Sequence, residues 1–145
     1  MSVTQLAVTK EVTVAAPVER AFAVFTERIG SWWPLETYAI RSESDTATFE
    51  GREGGRVYER TPSGEEADWG RVLVWEPPHR VVFSWEITGP ATEIEVRFRA
   101  DGDATVVELE HRGWQRMGDE GAERRSSYDG GWGLVLGRYV EAVGP

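Results

Sequence analysis

Two histidines, His79 and His111, are the only imidazoles in the 145 residues, and there is no cysteine. That excludes thiolate nucleophiles, disulfides and cysteine-based zinc or iron–sulfur sites. It also leaves a single candidate for proton transfer. His111 continues the face of Thr105, Val107 and Leu109, so if that face points inward the imidazole stands near the mouth of an interior, placed for general acid or base work. The alternative for His111 is a strand-end histidine bonded to backbone or water. His79 follows Pro77 and Pro78 in a turn and is expected in solvent. Neither HxH nor HExxH spacing occurs, so no metal is expected, and no motif calls for a cofactor.

The carboxylates read as structural. Glu108 and Glu110 alternate with the His111 face, Glu65, Glu66 and Asp68 sit in a charged hairpin loop, and Asp119, Glu120 and Glu123 suit the positive end of a final helix. Gly51-Arg52-Glu53-Gly54-Gly55 leads into a strand rather than a helix, so a turn is expected there and not a phosphate cradle. No GxSxG nucleophile elbow is present.

The other distinctive chemistry is aromatic. Seven tryptophans occur in this short chain, Trp32, Trp33, Trp69, Trp75, Trp85, Trp114 and Trp132. Each alone is best read as core. Together they point to a roomy aromatic interior, because a buried indole needs a partner for its N–H that water or a polar guest can supply. The candidate cavity set is Trp32, Trp33, Tyr58, Trp69, Leu73, Trp75, Phe83, Trp85, Phe98, His111, Trp114, Trp132 and Leu136, with Arg41, Arg56 and Arg71 as candidate polar anchors for a ligand carboxylate.

These side chains must be positioned by a simple order of elements. Leu6 to Val14 is a β-branched first strand ended by Ala15-Ala16-Pro17, and Pro17 suits the first turn of a helix carrying Val18, Ala21, Phe22 and Phe25. A second short helix is expected around Ile29 to Trp33. The period then changes to two through six runs, Thr46 to Glu50, Arg56 to Arg60, Trp69 to Glu76, Arg80 to Ile87, Thr92 to Arg99 and Thr105 to His111. Thr92 to Arg99 is the clearest, with Ile94, Val96 and Phe98 opposite Glu93, Glu95, Arg97 and Arg99, as in a sheet wet on one side. In Trp69 to Glu76 the alternation does not decide between Leu73 with Trp75 and Val72 with Val74. Finally Trp132, Val135, Leu136, Tyr139, Val140 and Val143 form a helical stripe, flanked by Ser126, Gly130, Gly133 and Gly137, glycines attributed to close packing on the sheet or to room for a ligand. The expected fold is α+β: one curved antiparallel sheet of six to seven strands around a long C-terminal helix, in a single domain with its core at about residues 6–143.

With 25 acidic and 16 basic residues the formal charge is −9, which argues against nucleic acid and anionic membranes as partners. No apolar run approaches the roughly 20 residues of a membrane span. A cytoplasmic protein is expected, with a homodimer left open.

The chain resembles the helix-grip fold of the START-like, or SRPBCC, superfamily (Bet v 1-like), in the branch named for the activator of heat shock protein 90 ATPase homologue. The resemblance is carried by Val14-Ala15-Ala16-Pro17-Val18-Glu19-Arg20-Ala21-Phe22, by Ile29-Gly30-Ser31-Trp32-Trp33-Pro34, by Gly70 to Trp85 through Glu76-Pro77-Pro78-His79, by Glu108-Leu109-Glu110-His111-Arg112-Gly113-Trp114, and by Gly131-Trp132. It implies a deep cavity between sheet and long helix, suited to lipids, polyketides or other apolar small molecules. Three readings follow: a binder of an apolar or aromatic small molecule without covalent chemistry; a cyclase-, aromatase- or hydrolase-like enzyme in which His111 moves a proton; and a chaperone-docking module, for which Val72, Val74 and Val106 are the only hints of an exposed apolar patch. The chaperone role of the branch's namesake is not expected to carry over.

Overall fold

In the computed structural model, residues 7–87 and 90–144 are described. Seven strands form one antiparallel sheet in the order β1-β7-β6-β5-β4-β3-β2: β1 Val8–Val14, β2 Thr46–Phe49, β3 Arg56–Arg60, β4 Glu66–Glu76, β5 Arg80–Trp85, β6 Thr92–Asp101 and β7 Ala104–Arg112. Two short helices, α1 Val18–Thr26 and α2 Ile29–Trp32, follow β1, and the long α3 Gly121–Val143 closes the chain. The curled sheet around a long terminal helix is the helix-grip fold of the α+β class. Leu6, the expected start of β1, lies outside the described residues.

Local chemistry explains the entry to α1. Pro17 stands one position before the helix rather than in its first turn, extended at φ −67°, ψ 160°, and its carbonyl accepts the Ala21 N–H at 3.0 Å. The face bearing Ala21, Phe22 and Phe25 is buried. Gly30 lets α2 ride close over β2: a Cβ there would lie 2.6 Å from the Ala47 carbonyl oxygen.

β4 breaks the period-two rule twice. Its register against β3 slips at Trp69, and against β5 at Leu73. Each slip is a bulge, in which an extra residue on one strand shifts the parity of those that follow. Trp69 and Gly70 are therefore both buried in succession, Val72 points inward, Leu73 is turned out to solvent, and Trp75 returns to pack on Phe22 at 5.1 Å. The inward pair is Val72 with Trp75, which neither simple alternation predicts. The first bulge also presses β4 onto β5: a Cβ on Gly70 would lie 1.8 Å from the Ser84 carbonyl oxygen.

α3 crosses the concave face, packing on α1, α2 and edge strand β1, with a layer of rings between it and the central strands. Tyr139 donates to the Ala21 carbonyl at 2.7 Å, Arg20 donates twice to the Val143 carbonyl, and Lys10 pairs with Asp129 at 3.0 Å. A 3-10 segment, Trp114–Glu120, joins β7 to α3, so Asp119 and Glu120 precede that helix and only Glu123 lies in its first turn. The glycine stripe serves neither expected purpose. Gly130, Gly133 and Gly137 are exposed, and a Cβ on any of them would meet nothing within 4 Å. The hints of a chaperone-docking patch also dissolve: Val72 and Val106 are buried and only Val74 is half-exposed.

Two glycines should therefore respond oppositely to alanine. Gly70→Ala forces backbone apart and is expected to destabilise by at least about 1–3 kcal/mol, whereas Gly133→Ala, in open helix, should stabilise by about 0.5–1 kcal/mol. Urea denaturation of the two variants checks both signs.

Candidate functional site

Most of the space between sheet and α3 is filled. At one end Phe22, Phe98, Phe49 and Trp75 pack edge to face or tilted, and in the middle Phe25, Trp32 and Tyr139 do the same. The deep chamber is thus reduced to a cleft of about 290 Å³ at the other end, between the residues after α2, the end of β5 and the N-terminal half of α3. Its wall is made by Trp33, Trp85, Trp132 and Tyr128, with Val135 beneath and Tyr38, Ile40 and Ile87 forming an exposed lip. Gly131 faces the opening opposite the Tyr38 hydroxyl. Among the described residues no charged side chain lines the cleft.

Of the thirteen expected cavity residues, Trp33, Trp85 and Trp132 line this cleft. Trp32, Trp69, Phe83, Phe98, Trp114, Leu136 and His111 are core. Trp75 is half-buried at the packed end, Leu73 is turned outward by its bulge, and Tyr58 lies on the outer face with the Arg56 guanidinium 4.0 Å over its ring. None of the three arginines lines the cleft: Arg41 pairs with Glu65, Arg56 with Glu66 and Asp68, and Arg71 is exposed and reaches the Gly54 carbonyl.

The indole N–H groups also find their partners within the protein. Trp32 donates to the Val24 carbonyl, Trp33 to the Tyr38 carbonyl, Trp69 to Glu59, Trp85 to the Tyr128 hydroxyl, Trp114 to the His111 carbonyl and Trp132 to His111 Nδ1. Six of the seven indoles therefore need no water or guest.

His111 faces inward, as its strand face requires, but it lies behind the cleft and not at its mouth. It is fully buried, against Trp114 at 4.3 Å and Tyr128 at 5.2 Å between ring centroids. Because an indole can only donate, the bond from Trp132 makes Nδ1 the acceptor, so the proton sits on Nε2 and is donated to Thr92 Oγ1 at 2.7 Å. Burial pushes the imidazole pKa down to about 3. A neutral ring with both nitrogens engaged is a packing element rather than a proton carrier.

Sequence reasoning missed Glu59. It shares the inward face of β3 with Val57 and is fully buried, a signal available in the alternation of Arg56 to Arg60. Its carboxylate accepts the backbone N–H groups of Ile40 and Arg41 at 2.7 and 2.8 Å, the Ser44 hydroxyl and the Trp69 indole. No ion pair involves it among the described residues. Burial alone would raise its pKa, but the four donors outweigh that and leave it lowered. Glu59 thereby ties Trp69, which stacks behind Trp33 at 4.8 Å, to the segment that forms the lip. Tyr128 was missed too, although it stands four residues before Trp132 on the same helical stripe.

Residues 15–144 match the family described as Activator of Hsp90 ATPase homolog 1-like protein. The chain belongs to this family. Within its fold the chain is similar to an anthrahydroquino-gama-pyrone synthase, Txn09, with 35% identity over 93% of this chain and 95% of that one and a TM-score of 0.63. It is also similar to CalC, a self-sacrificing resistance protein from Micromonospora echinospora, with 30% identity over 94% and 93% and a TM-score of 0.73. Likeness to a Mesorhizobium loti protein at 15% identity, over 93% and 94% with a TM-score of 0.71, shows the fold alone. No curated protein matches. No helix among the described residues is long and apolar enough to cross a membrane, and no cluster of ligating side chains able to hold a metal occurs among them.

Two titrations follow from this geometry. Glu59 contributes stability that is complete above its ordinary value of 4.5 and is lost as pH falls through its lowered folded value. Glu59→Gln should therefore be destabilised at pH 7 by at least about 2 kcal/mol and lose less on acidification to pH 3.5 than wild type, as read by urea titration at both values. The His111 ring should remain the neutral Nε2–H tautomer from pH 8 to pH 5 in nitrogen-detected NMR, and protonation near its ordinary 6.5 would contradict the assignment.

Proposed function

We propose that this protein binds a small, rigid, apolar aromatic molecule of the polyketide type in the cleft between α3, the end of β5 and the residues after α2. The observation that carries this reading is the wall itself: three indoles and a phenol, held by their own hydrogen bonds, surround about 290 Å³ with no charge among them. That volume is about twice the roughly 150 Å³ apolar cavity that takes up benzene, which suits two or three fused rings better than a long acyl chain. Rings fixed by internal partners lose little entropy when a flat guest stacks on them. The named activity of the 35% identical synthase is directed at a fused aromatic skeleton, which supports the same ligand class.

A second reading, a cyclase-like enzyme, is favoured by that same similarity. In it the cleft orients a reactive polyketide, and orientation alone can supply about 7–11 kcal/mol. His111 has no part in such a step, since it has neither exposure nor a free nitrogen. Proton donation falls to the cleft's own hydroxyls.

Binding is tested by calorimetric titration with naphthalene- and anthracene-sized aromatics and, in parallel, with palmitate. The expected result is micromolar uptake of the former and little of the latter. Gly131→Leu, which fills the opening from a half-buried position on α3, should abolish uptake while keeping the thermal transition. Unchanged affinity in that variant, or preference for palmitate, would sink the proposal.

A further inference from the structure

One polar group in the cleft has its acceptor side occupied and its donor side open. The Tyr128 oxygen accepts the Trp85 indole N–H at 2.9 Å, and its own proton meets no acceptor among the described residues. The ring is clamped between Trp114, His111 and Trp85, at centroid distances of 5.1, 5.2 and 6.4 Å. We infer that Tyr128 selects the guest by donating its hydroxyl proton to a carbonyl oxygen, and that the ligand class is a planar aromatic ketone or quinone. The inference rests on the cleft being the aromatic-binding site and adds to it the group that discriminates among aromatics.

Three features lead to a neutral carbonyl. The indole N–H groups of Trp33, Trp85 and Trp132 are all spent inside the protein, so the wall offers stacking surface but no N–H donor. The other cleft hydroxyls, on Thr37, Tyr38 and Ser127, belong to exposed residues, whereas Tyr128 stands half-buried beside the indoles. Among the described residues no cation lines the cleft, and Arg124 acts on the Tyr128 hydroxyl only through its field, so a carboxylate or phenolate would lose its hydration without a direct charge partner. A carbonyl needs only a donor. The bond that Tyr128 accepts from Trp85 polarises its O–H and strengthens it as a donor. Burial raises the phenol pKa, so the proton stays in place at neutral pH.

The discriminating pair of probes is 2-methyl-1,4-naphthoquinone and 2-methylnaphthalene, which share a ring skeleton and differ in the two carbonyls. In calorimetric titrations wild type should bind the quinone more tightly. Tyr128→Phe, which keeps the ring, should weaken the quinone about five- to tenfold, in line with loss of one neutral hydrogen bond, and leave 2-methylnaphthalene within about twofold. Retained affinity for the hydrocarbon reports that the variant cleft is intact. Equal binding of the two probes by wild type, or an equal change in both on going to Tyr128→Phe, overturns the role of Tyr128 while leaving the aromatic site standing. Failure of wild type to bind either probe overturns the aromatic site itself, and this inference with it.

Discussion

The buried Glu59 carboxylate is the constraint from which the shape of the cleft follows. A charge taken out of water must be met by several donors, and here they come from two different parts of the chain: the Trp69 bulge in β4, and the segment that carries the Ile40 and Arg41 backbone N–H groups and Ser44. Satisfying it folds residues 37–44 over the end of the sheet and fixes Trp69 beneath Trp33. Without that anchor an irregular segment with Tyr38 and Ile40 exposed would have little reason to lie against α3. The Arg138–Glu36 pair at 2.6 Å adds an exposed tie on the same side, of the kind that contributes little by itself. The acidic cluster on the outer sheet face is of a different kind, since Glu95 is held there by Arg80 and Arg112 and braces three neighbouring strands from the solvent side.

Pairing of the indoles divides the interior into two regimes. Where rings meet rings edge to face, as around Phe22, Phe25, Phe98 and Tyr139, the helix is glued to the sheet and no room remains. Around the cleft rings also meet edge to face, Trp33 with Trp132 at 5.9 Å and Trp85 with Tyr128 at 6.4 Å, but their polar ends close on Tyr38, His111 and Tyr128, and one side of each wall ring is left to line an opening. His111 belongs to the second regime as a scaffold: it accepts from Trp132 and donates to Thr92, whose hydroxyl lies 3.4 Å from the Trp85 carbonyl, so one neutral imidazole links two cleft walls. Its burial serves that linkage and removes it from acid–base work.

The elements with a single period were legible from residues alone. β6 keeps its two faces from Glu93 to Arg99, with Glu95 on the outer face but covered by Arg80 and Arg112, and the buried stripe of α3 from Trp132 to Val143 follows the helical spacing. β4 was not legible, because two bulges change its parity and a bulge leaves no mark in an alternation that is apolar on both faces. The excess of tryptophan was visible and its meaning was not: composition counts rings but cannot show that their N–H groups close on one another. Of the site, the three lining indoles were within reach, while Glu59 looked like one more charge in a strand rich in them and Tyr128 looked like the solvated start of a helix. Arg56 and Arg71 failed as anchors because their strand faces point outward, where acidic neighbours hold Arg56, and Arg41 lies in the segment before β2, paired with Glu65.

What the family contributes is the frame rather than the chemistry. A curled sheet and a crossing helix leave space only where side chains fail to meet, and in this chain that place is decided by a carboxylate in β3, a bulge in β4 and a tyrosine in α3. A synthase and a resistance protein occur at similar identity to this chain, so the shared frame does not by itself fix a role. The name of the family describes a chaperone partner, yet the residues most constrained here by burial and hydrogen bonding, Glu59, His111, Trp69 and Trp114, all support an inward-facing aromatic cleft. In this molecule the costly interactions, a buried charge and a buried neutral histidine, are spent on holding rings apart at one end of the core.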